Sequence, residues 1–388
     1  MSDRPYEIAL FGATGFTGQL TARYLAEHAP KEVRWVLAGR SERKLEEVRR
    51  GLTGLPCPPR AVVVADVGDP PSLVRMARDA RVVLTTVGPY ALYGEPVVRA
   101  AIDGGAHYVD ITGEPDFVAS MIRKYDDPAG KAGLKLVPCC GFDSIPADLG
   151  AQFTAEQLDP KGPISVRGYV RTRGTFSGGT WQSAIRGFGR VEGPESARLP
   201  RRTPEEGRSV GGGKRRISWD KDVDAWAVPM PLIDPEIVLR TASFCAEHGT
   251  RFEYGHFARV QHFGTIAAGA VAIGGLVGLS RIGPTRELLL KVRTSGEGPS
   301  AEQRKRGWFE ITFVGEGSGK KVVTAVSGGD PGYDETSKMV AESALCLALD
   351  GKKLPVRAGV LTPGAAMGKV LRARLVAAGM RFHVKSAG

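Results

Sequence analysis

The sequence predicts an α/β fold in which an N-terminal, doubly wound parallel sheet precedes a second, mixed α/β (α+β) domain. Three observations predict it. Short apolar runs alternate with helix-compatible runs over residues 7–138, a glycine-rich turn separates the first strand from the first helix, and beyond residue 150 the alternation is lost. The 388 residues suffice for two hydrophobic cores. The expected division is 1–150 for the parallel-sheet domain, 151–332 for the mixed domain, and 333–388 for a helical segment returning to the first.

Glu7 to Phe11 is a short apolar strand that runs into Gly12-Ala-Thr-Gly15-Phe-Thr-Gly18, after which Gln19 to His28 has helical character. Strands follow at 34–38, 61–65, 82–86, 107–110 and 134–138, with helices between them at 42–50, 72–79, 96–104 and 115–132. Such alternation implies a Rossmann-type sheet covered on both faces.

The glycine turn has a physical task. Its first glycine permits the tight turn, the second lets backbone approach a pyrophosphate, and the third lets helix pack on strand. Gly12, Thr14, Gly15, Phe16, Thr17 and Gly18 are therefore candidate cofactor residues, with the helix N-terminus holding the phosphates. The second strand ends in Gly39-Arg40-Ser41, without the acid that usually holds the ribose hydroxyls of NAD. Arg40 can instead form a bidentate contact with a 2′-phosphate, Ser41 and Lys44 can add a hydroxyl and a second positive charge, and NADP(H) is the expected cofactor. The bland alternative is a solvated helix start, where positive charge is mildly unfavourable. Asp66, ending the third strand, is a candidate for the adenine or for capping the next helix. Thr86, Val87, Gly88 and Pro89 end the fourth strand, on the ligand side of an open parallel sheet.

The runs GATGFTG, AGRSERKL, TTVGPY, HYVDITGE and PCCGFDSIPADLG, with SGGDPGYDETSKMVAESALCLALDG and GVLTPGAAMGKVLRARLVAAGMRF near the end, resemble the saccharopine-dehydrogenase-like oxidoreductases, and within them the trans-acting enoyl reductase branch. The resemblance covers nearly the whole chain. It implies an NADP-linked Rossmann domain, a second α/β domain, and reduction of a carbon–carbon double bond on a lipid-like or carrier-bound polyketide substrate. Two other readings stay open: a dehydrogenase of a small amino-acid-derived imine, and a non-catalytic NADPH- or lipid-binding protein.

Enoyl reduction needs a donor toward the developing enolate oxygen and a proton for carbon. Tyr90, Tyr108 and Asp143 follow strands four, five and six and are the candidate catalytic residues; His107, Asp110 and Glu114 lie close by in sequence. Each can equally be a packed aromatic or a capping carboxylate. No Tyr-x-x-x-Lys dyad occurs, which excludes the standard short-chain reductase mechanism. Cys139 and Cys140 read as small buried hydrophobes. His248, His256 and His262 lack metal-ligand spacing, so no metal is expected.

A net charge of +11 favours acidic partners such as phosphates, carrier proteins or anionic membranes, and without nucleic-acid motifs it does not single out nucleic acid. Five irregularly spaced cysteines and a charged N-terminus fit a cytoplasmic protein. A homodimer remains open. In the second domain, strands are expected at 164–172, 237–243 and 251–260, and a hairpin at 308–314 and 321–327. A turn at 174–180 leads into a helix near Trp181, and residues 197–216, with Arg201, Arg202, Lys214, Arg215 and Arg216, read as a mobile surface loop. Residues 264–280 carry no charge and fall short of the ~20 residues of a spanning helix. The expectation is a buried helix; the alternative is contact with lipid, peripheral on the inner face of the plasma membrane.

Overall fold

The computed structural model describes residues 4–174, 185, 198–204, 207–213, 216–230, 232–292 and 298–387. The helix expected near Trp181, most of the turn before it, and Lys214 and Arg215 lie outside the described residues. The chain divides into two compact units, one of residues 1–142 and 333–378, the other of residues 143–332 and 379–388. The second unit thus begins at Asp143 rather than after residue 150. The last ten residues also belong to it rather than to a returning helical segment.

The first unit begins β1 (Tyr6–Phe11), α1 (Phe16–His28), β2 (Trp35–Gly39), α2 (Glu42–Gly51), β3 (Ala61–Val64), α3 (Pro70–Asp79), β4 (Ala80–Thr85), α4 (Tyr90–Gly104), β5 (His107–Asp110), α5 (Pro115–Lys131) and β6 (Lys135–Val137). All pairings are parallel, and the sheet runs β6-β5-β4-β1-β2-β3, extended beyond β6 by the two-residue strand Gly359–Val360. Ile8, Ala9, Leu10, Val82, Val83 and Leu84 are fully buried, as continuous apolar strands covered on both faces must be. The order reverses between β1 and β4, and ligands bind at such switch points, outside the carboxyl ends of the strands. The helix Asp334–Leu349, reached after the second unit, packs on α1 and the sheet and is buried nearly throughout.

The second unit contains α6 (Ile145–Ala155), β7 (Ile164–Arg173), β8 (Ser209–Gly212), β9 (Ser218–Asp220), β10 (Ala225–Pro229), α7 (Asp234–Phe244), β11 (Arg251–Val260), α8 (Phe263–Arg281), α9 (Gly283–Val292), β12 (Trp308–Gly317) and β13 (Lys320–Gly328). Its sheet runs β13-β12-β7-β11-β10-β9, with the strand Arg381–Ala387 outside β13 and β8 sharing an edge of β11 with β10. β7 pairs parallel with β11, whereas β12 pairs antiparallel with both β7 and β13. The expected hairpin is present and longer than expected.

Three expectations are corrected here. Residues 237–243 form the body of helix α7, not a strand. Pro235 in its first turn, flanked by Asp234 and Glu236, is a helix start, and a short run buried on every side, its polar residues included, has no period to separate the two states. The stretch 197–216 is not simply a loop: β8 lies in it, Arg201 pairs with Glu236 at 3.1 Å, and the Arg202 guanidinium stands 5.8 Å over the Phe244 ring. Finally, the helix spanning 264–280 is not buried. Within α8 only Ser280 is, and Val271 is 77% exposed. Its apolar residues occur on all sides, so no single face could bury them against the sheet.

Candidate functional site

The glycine turn joins the carboxyl end of β1 to the start of α1. Gly12 takes φ +91°, and the Gly15 amide donates to its carbonyl at 3.0 Å. A Cβ on Gly12 would lie 2.7 Å from Val87 Cγ2 and 2.9 Å from Thr86 Oγ1, so the β1 and β4 ends approach as closely as glycine allows. Thr86 Oγ1 donates to the Gly12 carbonyl at 3.3 Å. A Cβ on Gly18 would fall 2.1 Å from the Gly12 oxygen, which fixes how near α1 sits to the turn. Gly15 is exposed and caps α1 without a side-chain hydrogen bond, leaving the helix N-terminus open to an anion. Gly12, Thr86 and Val87 are thus brought together, with Thr14, Gly15, Phe16, Thr17 and Gly18 on one turn beside them. A dinucleotide pyrophosphate fits this cradle. Phe16 stacks edge-on against Tyr333, 4.9 Å between centroids. Gly88 and Pro89, joined by a cis peptide, complete the β4 turn.

At the end of β2, Arg40 and Lys44 are exposed, and among the described residues neither side chain has an ion-pair partner, while Arg43 and Arg49 pair with Glu47 and Glu46. Ser41 caps α2 by accepting from the Lys44 amide at 3.4 Å, which leaves its own hydroxyl proton to donate. Asp66 does not cap α3; its Oδ1 accepts from the Gly68 amide at 2.8 Å within its own loop, and Asp69 is the cap residue.

A buried polar cluster lies at the ends of β4, β5 and β6. The Asp110 carboxylate accepts from the Tyr108 hydroxyl at 2.7 Å and from the Thr112 and Cys139 amides, both at 2.9 Å. Burial raises its carboxyl to about 6, although those hydrogen bonds favour the ionised form. The Tyr90 hydroxyl donates to the Thr85 carbonyl at 3.1 Å, and the Glu114 carboxylate accepts from the Tyr90 and Ala91 amides at 3.1 and 2.9 Å, capping α4. Burial, then the Asp110 charge, lifts both phenols well above their ordinary range. Tyr90 and Tyr108 therefore hold the strand ends together; in this geometry neither hydroxyl is directed outward as a donor. His107 accepts from the Lys135 amide through Nδ1 at 3.0 Å, and burial lowers it to about 4. Cys139 and Cys140 are buried, as are the other three cysteines.

Asp143 opens the second unit and is half-buried, with its carboxyl raised by burial. It acts on Asp234, the first residue of α7, whose buried carboxyl is raised well above its usual range by desolvation and then by the charge of Asp143. His256 on β11 brings Nε2 to 3.9 Å from Asp234 Oδ1, and its Nδ1 shares a 2.8 Å hydrogen bond with the Tyr254 hydroxyl. Burial lowers His256 to about 4, so at neutral pH the imidazole is uncharged and the approach to Asp234 is not an ion pair. Carboxyls crowded in this way retain a proton to higher pH than usual. The sequence reading missed Asp234 and Tyr254, and considered His256 only as a metal ligand. The available signal was the Asp-Pro-Glu helix start.

A family model described as the saccharopine dehydrogenase NADP binding domain matches residues 8–137. A Mycobacterium tuberculosis protein provisionally named a trans-acting enoyl reductase is 35% identical over 98% of this chain and 97% of its own. The human saccharopine dehydrogenase-like oxidoreductase is 33% identical over 99% and 98%. A Caenorhabditis elegans lipid droplet localized protein is 34% identical over 94% of each. Among solved structures, apo saccharopine dehydrogenase (L-Glu forming) from Saccharomyces cerevisiae superposes with a TM-score of 0.56 at 14% identity, covering 98% of this chain and all of that one, a likeness of fold. The first unit binds NADP(H), the cofactor its cradle and its family model share. The chain belongs to the saccharopine dehydrogenase-like family of NADP-dependent oxidoreductases.

Proposed function

We propose that the protein is a trans-acting enoyl reductase that uses NADPH to saturate a carbon–carbon double bond in a lipid-like or carrier-bound polyketide acyl substrate. One observation carries this reading: the 35% identity to the mycobacterial relative runs through both units rather than the NADP domain alone. When bound, NADPH supplies the hydride that adds to the β-carbon of the unsaturated acyl group. The glycine turn holds its pyrophosphate, and Arg40, Ser41 and Lys44 hold the 2′-phosphate through a guanidinium fork, a hydroxyl and a second cation. The proton for the α-carbon is assigned to Asp143, the half-buried carboxyl whose hold on a proton is strengthened by burial. A carrier-protein or coenzyme A thioester suits the +11 net charge, since both carry phosphate. The enzyme is placed in the cytoplasm, peripheral on the inner face of the plasma membrane, a setting in keeping with its exposed apolar helix.

The test is a titration of the purified protein with NADPH and NADH, followed by oxidation of bound NADPH on adding enoyl thioesters of increasing chain length. NADPH-selective binding with turnover that improves with length is expected. Tight binding with no turnover on any enoyl thioester would remove the assignment. In the same assay Asp143→Asn should lower turnover by about a hundredfold or more while NADPH affinity stays unchanged.

A further inference from the structure

Helix α8 is long and apolar enough to cross a membrane, yet its connections forbid a crossing. It leaves the sheet of the second unit at Val260, where β11 ends, and the chain re-enters the same sheet at Trp308, where β12 begins. A spanning α8 would leave residue 282 on the far side, and residues 283–307 would have to return through the hydrocarbon. They cannot do so. Their longest apolar run is the three leucines 288–290, against the ~20 apolar residues a crossing needs, and the segment carries Arg286, Glu287, Lys291, Arg304, Lys305 and Arg306.

The surroundings of α8 fit a lipid surface entered from one side. At its N-terminal base three aromatic rings meet: Trp219 against Trp226 at 5.8 Å, and Trp226 against Phe263 at 5.2 Å. Trp219 and Phe263 are exposed, as aromatic residues at a headgroup layer are. Arg281 and Arg286 flank the other end, where they can meet anionic headgroups. Between the two, Val271 and Ile273 on α8 and Leu288 on α9 are 77, 57 and 67% exposed.

We infer that α8 and α9 form a one-sided lipid anchor, dipping into a single phospholipid leaflet and returning to the same side, with the Trp219–Trp226–Phe263 cluster at headgroup level. Such an anchor needs only a monolayer. It therefore serves on a phospholipid-coated oil droplet as well as on a bilayer, whereas a spanning helix requires the bilayer. The inference rests on the membrane-surface part of the proposed function and not on the reaction.

The test is flotation of the full-length protein with phosphatidylcholine vesicles, with phosphatidylcholine–phosphatidylserine vesicles, and with triolein droplets coated by the same mixture. Binding to all three is expected, stronger where phosphatidylserine is present. The pair Val271→Asp and Ile273→Asp, both on exposed positions, should reduce the bound fraction about tenfold or more with NADPH affinity unchanged. Binding to vesicles but not to coated droplets would overturn the single-leaflet topology. No lipid binding, together with self-association abolished by the same pair, would instead show a second copy of the chain covering the helix, and would also overturn the anchor. NADPH oxidation on enoyl thioesters is read separately, so an enzyme that floats without turnover fails the reaction alone, and one that turns over without floating fails the anchor alone.

Discussion

The turn between β1 and α1 and the helix α8 are built from the same small residues and have opposite surroundings. In the turn, glycine is required by close approach: a Cβ on Gly18 would stand 2.1 Å from the Gly12 carbonyl oxygen. Along α8, a Cβ at Gly264, Gly269, Gly274, Gly275 or Gly278 would meet nothing within 4 Å among the described residues. Small apolar residues therefore mark either a backbone that must come close or a surface that none of the described residues covers. Only the neighbours separate the two cases.

The largest expected effect breaks the crowded side of this comparison. Gly18→Ala must push α1 away from the turn, so NADPH affinity should fall about a hundredfold or more and stability by about 3 kcal/mol. Cofactor titration and thermal unfolding read both. An alanine variant with unchanged NADPH affinity would show that the turn is not the phosphate cradle.

Crowding at Gly18 is steric; at Asp110 it is electrostatic. The folded-state carboxyl titrates near 6 against an ordinary 3.8, so the native state binds the additional proton. The contribution to stability is therefore complete below about pH 4 and is lost as pH rises through about 6, a difference of about 3 kcal/mol. Asp110→Asn keeps an oxygen for the Thr112 and Cys139 amides and cannot ionise. Urea unfolding between about pH 4 and pH 7 should show a falling stability in the native protein and a flatter profile in the variant. Parallel profiles would mean that Asp110 does not titrate in this range.

How much of this was legible follows from how local each constraint is. The glycine turn was, because three glycines at fixed spacing between an apolar strand and a helix state their own geometry. The exchange of acid for Arg40 was legible for the same reason. Helix α7 was not: Ile237 to Ser243 is buried throughout, Arg240, Thr241 and Ser243 included, so no exposed polar face marks a helical period. Asp143 was a candidate on its own, but its grouping with Asp234 and His256 was hidden, since the turn before α6, the start of α7 and β11 come together only through tertiary packing. Exposure of α8 depends on the absence of a covering neighbour among the described residues of its own unit, which composition does not encode.

A smaller effect is expected outside the crowded turn, at the exposed end of β2. Arg40→Ala should weaken NADPH by about tenfold to a hundredfold, the loss of a charge-assisted contact of about 2 kcal/mol, and leave NADH nearly unchanged. Paired titrations decide it. Equal weakening of both cofactors would assign Arg40 to something other than the 2′-phosphate.

The smallest effect tests the open side. Gly274→Ala places a methyl group where none of the described residues lies within 4 Å, in the middle of a helix, and removes glycine's conformational freedom in the unfolded chain. The variant should be more stable by about 0.5–1 kcal/mol and bind NADPH as before. The same substitution is thus expected to destabilise at Gly18 and to stabilise at Gly274. Destabilisation at Gly274, measured by urea unfolding, would mean that something packs against α8 in solution, and adding lipid or raising protein concentration would then identify it: a stability that rises with protein concentration points to a second copy, and one that rises with phospholipid to the leaflet.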